Sequence, residues 1–148
     1  MRGILWTGGG AAGRKDWTIE AKTENIPRVT DLINAELEAL GCPMKVQLQL
    51  DVAIDELLSN IAFYAYAPGS GRATVRLEAE DAPRAVTLTF LDSGTPFDPL
   101  AASDPDIQLP AGERRIGGLG IFLVRKTMDA IRYEYRDGQN VLSIRKLF

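Results

Sequence analysis

The sequence predicts an α+β domain, a two-layer sandwich in which helices cover one face of a mixed, mostly antiparallel sheet. Three observations predict it. Two consecutive stretches between residues 26 and 66 repeat apolar side chains at the helical period. From Arg72 the period changes to two and holds across a short turn, as in a pair of antiparallel strands. After one more helical stretch, alternation returns around Asp137-Gly138, a strong hairpin signal. The resulting order of strand, two helices, two strands, helix and hairpin buries its apolar faces most simply as one helical layer on one sheet.

The 148 residues suit a single domain with a core that needs no staples. Residues 1–15 hold Gly8, Gly9, Gly10 and Gly13 and predict a loose tail, leaving 16–148 as the folded domain. The tail is a poor phosphate-binding Walker loop, because Lys15 stands one place late, Asp16 replaces the Ser/Thr and no convincing strand precedes it. A first strand is expected over 17–21, with Trp17, Ile19 and Ala21 alternating against Thr18 and Glu20. Asn25 is the N-cap candidate for a helix that tolerates Pro27 in its first turn. That helix carries Val29, Leu32, Ile33, Leu37 and Leu40 on one face and stops at Gly41, a good residue just past a helix end.

Pro43 opens the first turn of a second helix, whose stripe of Leu50, Ile54, Leu57, Leu58, Ile61 and Ala65 runs to the break at Pro68-Gly69. Strands are expected over 73–80 and 86–90, joined by Asp81-Ala82-Pro83, and the second leads into Asp92-Ser93-Gly94. Residues 100–116 show no period, and a connection that long inside a compact domain is usually functional, often a lid. Gly117-Gly118-Leu119-Gly120 opens a helix over 119–128 that is apolar nearly all round and so predicts a buried one. Ile131, Tyr133 and Tyr135 alternate as a strand, and 141–147 returns after the turn.

Composition excludes several functions. The chain has no histidine, which removes Ser-His-Asp and Cys-His catalysis, imidazole zinc sites and phosphorylation of a histidine of its own. A net charge of −3 argues against direct nucleic-acid binding, which rests on neutralising phosphates. The one cysteine, Cys42, excludes an internal disulfide and fits a reducing cytoplasm. No apolar run approaches the roughly 18 residues of a membrane span, and the opening residues are too few for a signal peptide.

Three short segments carry the chemistry. Glu56 and Asn60 lie four apart, so their side chains leave one helix face a turn apart and can hold a metal ion or a water between them. Two polar residues on the wet side of an amphipathic helix would have the same spacing. Asp92-x-Gly94 after a strand is commonly a turn, and Gly117-Gly118-x-Gly120 at a helix start is commonly close packing; neither is the Rossmann fingerprint.

In the order Glu56-x-x-x-Asn60, Asp92-x-Gly94-x-x-Phe97-Asp98-Pro99, Gly117-Gly118-x-Gly120, the segments resemble the N, G1 and G2 boxes of the GHKL ATPase superfamily, which includes gyrase and the histidine kinases. Over residues 16–148 the chain looks most like the anti-sigma serine kinases of that superfamily. The resemblance implies the Bergerat fold, ATP and Mg²⁺ as cofactors, and a nucleotide site drawn from all three boxes. Asp92 would accept a hydrogen bond from the adenine amine, and Gly94 would let the ring approach the backbone. Phe97 belongs to the same box. Gly117, Gly118, Leu119 and Gly120 would open a helix whose free N–H groups suit phosphates. Asn60 would offer a hard oxygen to Mg²⁺, and Glu56 would orient or deprotonate the attacking hydroxyl.

An ordinary glutamate, with a pKa of about 4.3, is a weak base at neutral pH unless burial raises it. Arg114 and Arg115 are candidates to meet the γ-phosphate or a partner, and a solvated basic pair beside Glu113 is the equal alternative. Implied partners are a sigma factor and a small anti-anti-sigma-like antagonist protein phosphorylated on serine or threonine, with a homodimer as the family expectation. One departure stands out: Tyr64 replaces the histidine that many such relatives carry before Ala65-Tyr66. Two alternatives stay open, a nucleotide-binding module without transfer and a histidine-kinase-type unit acting on a separate histidine protein.

Overall fold

A computed structural model of the protein describes residues 4–6, 13–101 and 118–148. Among them, six strands form one sheet: β1 (Ile4–Trp6), β2 (Arg14–Glu20), β3 (Arg72–Asp81), β4 (Arg84–Asp92), β5 (Ala130–Arg136) and β6 (Gln139–Leu147). Three helices, α1 (Ile26–Ala39), α2 (Met44–Asn60) and α3 (Gly118–Thr127), complete the α+β architecture. The sheet order is β1-β2-β3-β4-β6-β5, and every described pairing is antiparallel.

The register explains which face carries the core. Val75 opposes Phe90 and Leu77 opposes Leu88 across β3 and β4, while Leu88 and Phe90 oppose Ile144 and Leu142 of β6. With a side-chain period of two, all of these point to one face. There they join Ile33 and Leu37 of α1, Leu50, Ile54 and Leu58 of α2, and Ile121 and Val124 of α3 in one buried cluster. β6 takes the place beside β4 because its Leu142 and Ile144 need cover; β5, with Arg132, Glu134 and Arg136 exposed, suits the edge. On the other face Asp16 sits between Arg14 and Arg76. Burial pushes its carboxyl up, but the hydrogen bonds from Arg76 and Arg14 outweigh that and hold it below the usual range.

Several expectations are corrected. The sequence predicts a loose tail over 1–15; Ile4–Trp6 instead pairs with the outer edge of β2, and Arg14 and Lys15 lie inside β2. An open edge leaves backbone groups to satisfy, and an extended segment satisfies them without needing a strong pattern of its own. Asn25 stands at the N-cap position but has helical backbone angles and no capping hydrogen bond; its side chain donates to the Glu20 carbonyl. A cap is worth about 1 kcal/mol, whereas each of the buried Ile26, Val29, Ile33 and Leu37 gains about 1.5–3 kcal/mol in gross transfer, so packing sets this helix.

Pro43 is the extended residue before α2 rather than part of its first turn. Gly41 does end α1 with φ +78, and the Gly41 and Cys42 amides donate to the Glu38 and Leu37 carbonyls in the Schellman pattern. α3 is not buried all round, since Ile121 and Val124 face the core while Leu123 is 42% exposed. Most of the expected lid, residues 102–116, lies outside the described residues.

Candidate functional site

The site begins at the C-terminal end of α2. Glu56 and Asn60 project one turn apart on the same face, as their spacing requires. Burial pushes the Glu56 carboxyl up; a hydrogen bond from Asn60 opposes that shift, and the charge of Asp55 adds to it. Glu56 Oε1 is enclosed and has no hydrogen-bond partner among the described residues. The first turn of α3 comes directly against this carboxyl: a Cβ placed on Gly120 would stand 2.2 Å from Glu56 Cδ and Oε2. Gly120 therefore makes room for the glutamate as well as opening a helix.

Past Asn60 the helix changes pitch. Ile61–Ala65 is π-helical, a local underwinding that the apolar period could not reveal and that often marks functional sites. Its effect is to carry the Ala65 carbonyl to the loop after β4, where it accepts from the Thr95 amide at 2.8 Å. Gly94 is the residue that permits this. A Cβ there would lie 2.3 Å from Ala65 O and 2.6 Å from Ala65 C. The neighbour that demands glycine is thus the α2 terminus, which adds a structural reason to the ring approach that the family resemblance implies. Tyr66 fastens the same junction from the other side, donating to the Arg72 carbonyl at 2.5 Å and accepting from the Ser93 amide at 2.8 Å.

Asp92 ends β4 on its inward side, buried opposite Asn140 of β6. Its Oδ1 accepts from the Gly94 amide and from Asn140 Nδ2, each at 2.9 Å, and no described donor reaches Oδ2. Asn140 Nδ2 also donates to the Thr95 carbonyl at 3.0 Å, while its Oδ1 accepts from the Phe97 amide at 3.0 Å and from the Tyr133 hydroxyl. Asn60, Asp92 and Phe97 line one cleft, walled by apolar side chains such as Ile61 and Leu142, with Tyr64 also on its lining.

The structure therefore brings Asn60, Asp92 and Phe97 together, with Gly94 fastened beside them and Glu56 one turn behind Asn60 against Gly120. Gly118, Leu119 and Gly120 form the first turn of α3. Gly117, Arg114 and Arg115 lie outside the described residues. Sequence reasoning missed Asn140, Tyr133 and Tyr66. A signal for Asn140 existed: it holds an inward position in a strand whose next inward residues are Leu142 and Ile144, and a polar residue there needs a partner. Among the described residues no cluster of three or more acidic, histidine or cysteine side chains could hold a metal, and no helix is long and apolar enough to cross a membrane.

The model of the histidine kinase-like ATPase domain matches residues 19–146. The serine/threonine-protein kinase BtrW of Bordetella bronchiseptica is 33% identical over 100 residues, which are 68% of this chain and 70% of that protein. Since the family match takes in both the end of α2 and the Asp92 turn, the chain belongs to the histidine kinase-like ATPase domain family.

Proposed function

We propose that the protein is an ATP- and Mg²⁺-dependent serine/threonine kinase that phosphorylates a small antagonist protein and, when free of it, sequesters a sigma factor. The observation that carries the reading is the shared cleft: a carboxylate at the end of β4 and a carboxamide at the end of α2 open onto the same space, with a glutamate one turn behind.

The donors fit the cofactors. Asp92 Oδ2, without a described partner, accepts from an adenine amine. Asn60 supplies one hard oxygen, which suits Mg²⁺ because that ion takes few protein ligands beside phosphates and waters. The amides of the first turn of α3 have no partner within the helix and suit phosphate oxygens. ATP·Mg²⁺, when bound, supplies the phosphoryl group and much of the charge neutralisation. Glu56 would orient the acceptor hydroxyl and take its proton as that oxygen bonds to the γ-phosphorus, the bond to the β-phosphate oxygen breaks and ADP leaves; burial, by pushing its carboxyl up, makes it a better base near neutral pH than an exposed glutamate. The Bordetella relative, named a serine/threonine-protein kinase, supports transfer to a hydroxyl.

Incubation with labelled ATP, Mg²⁺ and candidate antagonist proteins tests the reading. Acid-stable phosphoserine or phosphothreonine on one of them is the expected product. Acid-labile phosphate would point to a histidine acceptor, and tight nucleotide binding with no transfer to any partner would leave a binding module. Sedimentation of the protein with and without ATP tests the homodimer.

A further inference from the structure

We infer that Asn140 is a positioning residue that sets base selectivity: it clamps one oxygen of Asp92 so that the other alone faces the ligand, and thereby favours a 6-aminopurine over a 6-oxopurine. The inference rests on the adenine reading of the cleft given above and deepens it.

Asn140 is 6% exposed, and its hydrogen-bonding capacity is filled. A carboxamide has two N–H donors and an oxygen with two lone pairs. Both donors are engaged, by Asp92 Oδ1 and the Thr95 carbonyl, and both lone pairs are met, by the Phe97 amide and the Tyr133 hydroxyl. These neighbours also settle which way the amide points. The Phe97 N–H can only donate, so the carboxamide oxygen must face it. The Asp92 carboxylate and the Thr95 carbonyl can only accept, so the NH₂ group must face them.

The consequence falls on Asp92. The terminal torsion of an aspartate is broad, so a carboxylate held by one donor can turn. Here two donors converge on the same oxygen, the Gly94 amide and Asn140 Nδ2, and fix the carboxylate plane. Oδ2 is left as a lone-pair acceptor in a defined direction. A purine 6-amino group can donate to it; a 6-oxo group would oppose acceptor to acceptor. Through Thr95 and Phe97 the same amide also pins the loop that forms this side of the cleft.

The test is the dissociation constant for ATP and for inosine triphosphate, which differs from ATP in the base by the 6-oxo group and its N1 proton, measured by titration calorimetry on the wild-type protein and on Asn140→Ala. The wild type should prefer ATP. In Asn140→Ala, ATP affinity should fall by about tenfold or more while inosine triphosphate changes by less than about threefold, so that selectivity collapses. Tyr133→Phe, which keeps Asn140 but removes one of its two orienting donors, should shift selectivity the same way by a smaller factor, and it decides the matter if Asn140→Ala lacks a cooperative melt. A preference for ATP unchanged in the folded variants, or equal weakening of both nucleotides, overturns the role given to Asn140 and leaves the adenine site standing. A wild type that binds both nucleotides equally, or neither, overturns the adenine reading itself.

Discussion

Replacing Gly94 by alanine separates two reasons for a glycine in the Asp92 turn. The added Cβ would meet Ala65 O at 2.3 Å, Ala65 C at 2.6 Å and Ala65 Cβ at 2.7 Å. Two of those atoms are backbone and cannot rotate aside, so either the π-helical end of α2 or the loop after β4 must move. Overpacking of this kind costs about 1–3 kcal/mol. Movement also lengthens the 2.8 Å bond from the Thr95 amide to Ala65 O, worth about 1 kcal/mol. The sum, roughly 2–4 kcal/mol, is a large part of the roughly 5–15 kcal/mol that holds a domain together. At this chain length it corresponds to a fall in Tm of roughly 5–15 °C. The assay is thermal unfolding by circular dichroism in the absence of nucleotide, repeated with ATP and Mg²⁺. If the glycine served only the approach of a base, the ligand-free protein would melt unchanged and only the stabilisation by ATP would shrink. A ligand-free Tm within about 1 °C of wild type would refute the packing argument.

The remaining predictions concern the carboxylates. In Gly120→Ala the atoms nearest the new Cβ belong to the Glu56 side chain, which can turn where backbone cannot, and the helix gains up to about 1 kcal/mol of propensity, so phosphoryl transfer should fall far more than Tm changes, as a paired melt and transfer assay would reveal. Glu56→Gln should make the protein more stable at pH 7. A folded-state pKa above the unfolded one means that ionisation disfavours folding, and this penalty disappears as pH falls below the unfolded value of about 4.3. The gain in urea midpoint should therefore shrink between pH 7 and pH 4, and an equal gain at both would contradict the burial of that group. In the wild type, transfer should decline on acidification at a pH above the ordinary carboxylate range, because protonated Glu56 cannot accept the hydroxyl proton. Asp92→Asn should weaken ATP by about tenfold or more: the two donors on Oδ1 hold the new amide's oxygen in place and turn its NH₂ toward the adenine amine. Calorimetry returning wild-type affinity would remove adenine from this position.

Much of this was legible because the signals are local. The apolar stripe of α2, the alternation through β3 and β4 and the glycine that closes α1 each reflect neighbours a few residues apart, and each element stands where its period put it. The spacing of Glu56 and Asn60 is equally local. Asn25 failed as a cap because the burial of four apolar side chains outweighs one capping bond. Asn140 went unread because its partner, Asp92, lies 48 residues away, and an asparagine just after a hairpin turn is ordinary when seen alone.

The sequence by itself determined the fold class, the helical face that bears Glu56 and Asn60, and the exclusion of histidine chemistry, because those follow from periodicity and composition. Only the tertiary structure decided that β6 lies inside β5, that the end of α2 unwinds into a π-turn to reach Thr95, and that Asn140 clamps Asp92. These depend on which surfaces meet when the sheet closes against the helices, and contacts between distant residues leave no period in the chain.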